Sequence, residues 1–155
     1  MAIAGAECLS PHAWDALMAE IIRIGGLKLR FLQDKHTTHG SLDLFEMTVP
    51  HQGRMPVSHY HRDWEETIYG LSGTITFTVA GERRPIGPGD ALFIPRGVVH
   101  GFENTSGADA TCLSLLTPGV LGPEYFRELA ALVAAGPPSP ADIREIMERH
   151  GLIPA

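Results

Sequence analysis

Three imidazoles and a carboxylate fall in two short stretches of this 155-residue chain. His59 and His61 stand two residues apart, with Tyr60 between them. If that stretch is a strand, both rings leave the same face, because side chains alternate with period two. Glu66 follows His61 by five residues. On a straight strand that odd offset puts it on the opposite face. It joins the histidines only if Arg62-Asp63-Trp64-Glu65 bulges or turns. By itself, the histidine pair is better explained as part of a polar outer face.

The flanking residues change that reading. The first stretch runs Gly53, five residues, His59, one, His61, four, Glu66, six, Gly73. A second runs Gly89, five residues, Pro95, one, Gly97, two, His100, three, Asn104. Together they resemble the paired motifs of the cupin superfamily at every fixed position, over about residues 42–116. The resemblance implies an all-β fold, an antiparallel double-stranded β-helix or jelly-roll barrel. It implies that His59, His61, Glu66 and His100 hold one divalent transition metal ion (Fe, Mn, Ni, Co, Cu or Zn), which suits such a donor set. Glu66 is then also the candidate catalytic base. Glu65 competes with it, because some cupins place the carboxylate one residue earlier; the spacing to Gly73 favours Glu66. Pro95 and Gly97 should shape the turn that delivers His100, and Asn104 should secure a loop.

The elements that must position these residues follow from pattern. Ser10-Pro11 is a cap and first helical residue, and Trp14, Leu17, Met18 and Ile21 keep helical spacing up to Gly25-Gly26. Leu27, Leu29 and Phe31 then alternate with Lys28 and Arg30, as in a half-buried strand. Residues 42–49 are apolar on both faces, which predicts a strand covered on both sides. Ile75, Phe77 and Val79 alternate with threonines, and Ala80-Gly81-Glu82 suits a hairpin turn. Residues 85–90, with two prolines and two glycines, read as a turn; residues 91–94 and 112–116 read as strands. Phe45, Met47, Phe77, Phe93, Phe102 and Leu115 are candidates to line the barrel. After Pro118 the pattern becomes helical, with Tyr125, Phe126, Leu129, Leu132 and Val133 on one face. Ser139, Pro140 and Asp142 cap a second helix that ends near Gly151. These two C-terminal helices must bury their apolar stripes, either on the barrel end or on a neighbouring subunit.

Composition narrows the partners. Twelve basic and 18 acidic residues give a net charge of −6, with no basic block to follow a phosphate backbone, so nucleic acid is not expected. No apolar run approaches the roughly 18 residues of a membrane span, so no membrane is expected either. Met1 to Cys8 lacks the pattern of a secretion signal, and Cys8 and Cys112 fit no paired motif. These features predict a single cytoplasmic domain over 1–155 with reduced thiols.

Thr117-Pro118-Gly119 with Tyr125-Phe126-Arg127-Glu128-Leu129 is similar to the tail of small bacterial cupins termed quercetinase-like. The resemblance implies an iron-type dioxygenase, an oxidoreductase acting on an enol, phenol or flavonol-like molecule with dioxygen. Two alternatives stand beside it: a non-redox metal-dependent isomerase, decarboxylase or lyase, and a cupin that binds a small ligand without turnover. Cupins of this size commonly pair, so a homodimer is expected.

Overall fold

The structure is a computed structural model and describes residues 19–155. The expected N-terminal helix therefore lies outside the described residues, apart from its last turn. There the structure corrects the sequence reading: Glu20–Ile24 is a strand, β1. It pairs antiparallel with β2 (Leu27–Gln33) in the register Ile24↔Leu27, so Gly25-Gly26 is a two-residue hairpin turn. Gly25 takes φ +58°, the left-handed geometry such a turn needs.

The chain continues as β3 (Asp43–Val49), β4 (His59–His61), β5 (Glu65–Ser72), β6 (Ile75–Val79), β7 (Glu82–Ile86), β8 (Ala91–Ile94), β9 (His100–Glu103) and β10 (Ala110–Thr117). Two helices follow, α1 (Glu124–Ala134) and α2 (Pro140–Arg149), and then a short strand, β11 (Leu152–Pro154). The strands form two antiparallel sheets of jelly-roll type. One has the order β1-β2-β3-β10-β5-β8 and the other β11-β4-β9-β6-β7. No helix among the described residues is long and apolar enough to cross a membrane.

Parity along each strand builds the core between the sheets. On β3, Asp43, Phe45, Met47 and Val49 are buried, while Leu44, Glu46 and Thr48 are half-buried on the other face. The strand is thus sealed on one side, not on both as its composition predicted. On β10, Cys112, Ser114 and Leu116 point inward and Leu115 does not. Phe93 is 58% exposed. Leu115 and Phe93 therefore leave the predicted lining, and Leu116 joins it. Pro85 belongs to β7 rather than to a turn, which its place at the sheet edge permits, since an edge strand can spare an amide.

The C-terminal segment folds back on the sheets. α1 packs on β1, and α2 packs on β11. Phe126 of α1 meets Phe31 and Phe45, with ring centroids 5.7 and 5.4 Å apart. Ser139 and Asp142 form the reciprocal capping box at the start of α2. Gly151 takes φ +84° just past its end and turns the chain into β11. β11 lies antiparallel to β4, with Leu152 opposite His61 and Pro154 opposite His59. The sequence reading contains no such strand.

Candidate metal centre

β4 and β9 are neighbours, with His59 directly opposite His100. Period two then turns His59, His61 and His100 to the inner face of the five-stranded sheet, where each is at most 4% exposed. Glu66 comes from the facing sheet. After His61 the chain turns at Arg62-Asp63 and crosses to β5, so the odd offset that looked unfavourable on one strand becomes inward-facing on another. Glu66 Oε2 lies 3.5 Å from His100 Nε2 and 3.9 Å from His61 Nε2. Glu65 points outward, where Arg96 donates to its two oxygens at 2.6 and 2.9 Å. The three histidines therefore form one cluster, Glu66 lies beside two of them, and Glu65 is committed to Arg96.

Second contacts orient the donors. The Nδ1 atoms of His59 and His100 lie 3.3 and 2.9 Å from the carbonyls of Val57 and Val98. A proton held there leaves each Nε2 lone pair facing the centre. The Ser114 hydroxyl donates to Glu66 Oε1 at 2.5 Å, which occupies one carboxylate oxygen and leaves Oε2 toward the histidines. Trp64, 1% exposed, stacks on His61 with centroids 4.6 Å apart and planes at 21°. The sequence reading does not include Ser114; a serine on the inner face of a buried strand is the available signal.

Electrostatics keeps most of the site ready for a cation. Burial pushes His59 down to about 4, helped by His100, and pushes His61 down to about 3. Both rings are therefore neutral at neutral pH, the state a metal donor needs. Burial would raise Glu66, but His100 and His61 outweigh it and hold the carboxyl below its usual value. Burial would lower His100, and the Glu66 carboxylate beside it raises it instead.

These residues fit a divalent transition ion. His59, His61 and His100 offer donor atoms within 4.8 Å of one another. His59 Nε2 and His61 Nε2 are 3.2 Å apart, roughly the spacing of two nitrogens that share an ion at about 2.1 Å. His100 Nε2 is buried with no hydrogen-bond partner, an orphan that a cation would satisfy.

The site opens on a cavity of about 280 Å³ between the sheets. Phe45, Met47, Phe77 and Phe102 line it as predicted. Phe126 and Leu129 of α1 and Ile143 and Met147 of α2 close one side, so the helices cover the sheets of their own chain. Asn104 does what was expected of it: its amide donates to the carbonyls of Val49 and Ala108 at 3.0 and 2.9 Å. His36 is exposed and meets Glu124 at 2.5 Å.

Residues 45–116 match the family model for the cupin domain. That segment, which carries all four site residues, is a cupin domain. A protein of Aquifex aeolicus (strain VF5), described only as uncharacterized, is 34% identical over 71 residues, which cover 46% of this chain and 58% of that one. The chain thus spans less than two thirds of the curated relative it matches. Among solved structures, the polyketide cyclase RemF from Streptomyces resistomycificus is 28% identical with a TM-score of 0.57, over 64% of this chain and 74% of that one. A predicted oxalate decarboxylase from Thermotoga maritima is 25% identical with a TM-score of 0.58, over 67% of this chain and 95% of that one.

Proposed function

We propose that this chain is a metal-dependent enzyme of dioxygenase type acting on a small organic molecule. The observation that carries the reading is the convergence of three neutral-capable imidazoles and one carboxylate at the wall of an apolar cavity. A bound divalent ion would supply Lewis acidity and, if redox-active, access to dioxygen. His59, His61, His100 and Glu66 would hold it. Ser114 would fix which Glu66 oxygen faces the histidines, and Glu66, once loosened from the ion, would accept a proton from a substrate hydroxyl. The apolar walls would exclude water. Oxygen-electrode assays on iron-, nickel- and manganese-loaded samples, with flavonols and enolic acids, test the reading. Oxygen consumption dependent on the loaded metal is expected; none with any metal contradicts it.

A non-redox reading has its own support. The two solved structures compared above carry the names of a cyclase and a decarboxylase, chemistries that need no oxidant. Turnover by the zinc-loaded chain under anaerobic conditions would favour it. We also propose a homodimer, supported by Tyr69, Leu71 and Phe93, which are 45%, 40% and 58% exposed on the outer face of the six-stranded sheet. Light scattering should give the mass of two chains; the mass of one would contradict it.

A further inference from the structure

The cavity next to the metal centre is chemically one-sided. Apart from the four site residues, Arg54 and the Tyr125 phenol, its walls are aliphatic, aromatic and thioether side chains from both sheets and both helices. Among the described residues that line it, Arg54 is the single arginine or lysine, and it is exposed. The one acidic side chain at the wall is Glu66. A phosphate or a polyhydroxylated sugar placed here would shed its hydration and find few donors in return. An apolar body would lose water from its own surface and from the walls together.

We infer that this site takes a bulky apolar substrate, of bicyclic aromatic size, that presents an oxygen donor to the metal centre and carries no phosphate or sugar. This deepens the metal-dependent reading above and rests on it for the role of the oxygen donor alone. Size follows from volume. A dry apolar cavity of about 150 Å³ accommodates one benzene ring. The 280 Å³ here is close to twice that. A two-carbon dicarboxylate would leave most of the apolar wall unsatisfied, so oxalate is a poor match despite its affinity for metals. An anionic group is tolerated only at the rim, beside Arg54.

The test is calorimetric binding of three probes, 2-naphthol, oxalate and ribose 5-phosphate, to the metal-free and zinc-loaded full chain. Metal content is measured on the same samples. 2-Naphthol should bind both forms, more tightly the loaded one, and about 100-fold more tightly than ribose 5-phosphate. Leu129→Gln, which places an amide in the wall away from the ligands, should weaken 2-naphthol about tenfold with metal content unchanged. Leu129→Met should bind like the parent, which separates wall polarity from damage to the fold. Ribose 5-phosphate or oxalate binding as tightly as 2-naphthol, or no effect of Leu129→Gln, would overturn the inference. 2-Naphthol binding by a chain that retains no metal would sustain the apolar pocket and remove the metal-dependent reading, so the two failures are distinct.

Discussion

Adjacent residues on a strand face opposite ways, and on β5 that parity separates Glu65, held by Arg96, from Glu66, held by Ser114 beside the histidines. Glu66→Gln should lower metal affinity at least about tenfold, because it removes the negative charge facing His61 and His100. Glu65→Gln should leave affinity unchanged. Competition with a chromophoric chelator measures both; equal losses would contradict the assignment. The histidines add a pH dependence to the metal-free chain. His59 and His61 sit at about 4 and 3 in the folded state, below their ordinary 6.5. As pH falls below 6.5 the unfolded chain takes up those protons first, so their contribution is complete above 6.5 and is lost toward pH 4 for His59 and pH 3 for His61. Glu66, held low, adds to the loss at more acid pH. His100, raised, opposes it: its contribution is present below 6.5 and lost as pH rises through its folded value. Two rings outweigh one, so the melting temperature of the metal-free chain should fall from pH 6.5 to 4. A flat profile by scanning calorimetry would contradict neutral burial of His59 and His61. At this scale the sequence was most readable, since the ligand spacing is local and carries its own geometry. Ser114 was not, because its role depends on a register between β10 and β5 some fifty residues apart.

At the scale of elements, local chemistry was legible where it had one structural meaning. Ala80-Gly81 is the hairpin turn its residues suggested, with φ of +51° and +83°. The capping box of α2 formed as written. Gly25-Gly26 had two meanings, helix stop or hairpin, and the β-branched run Ile21-Ile22 decides for the hairpin. β11 was invisible because three residues ending at a proline carry no periodicity; pairing with β4 makes the strand. The glycines that matter most are those where chains approach. Gly73 takes φ +65°, and a Cβ there would come within 2.8 Å of the Ala110 Cβ. At Gly70 an added Cβ would overlap the Gly87 carbonyl, a backbone group with no rotamer to yield. Gly70→Ala should therefore cost about 3 kcal/mol of stability, read as a lowered midpoint in urea unfolding. An unchanged midpoint would mean the turn between β7 and β8 can move away from β5 without penalty.

At the scale of the whole molecule, both sheets and both helices converge on one cavity with His59, His61, Glu66 and His100 at its wall. Composition could not show this, because Phe45, Phe126 and Met147 meet there from distant parts of the chain. The candidate metal centre needs little exposed polarity, because two carbonyls, one hydroxyl and one indole face orient its side chains from within. The central claim is that this arrangement exists to hold an ion. Elemental analysis of the chain, purified without chelator or affinity-column nickel, tests it most directly. The account predicts about one transition-metal ion per chain, lost in His59→Ala and His100→Ala variants that still fold. A folded parent chain that retains no iron, manganese, nickel, cobalt, copper or zinc, even after incubation with each, would contradict it.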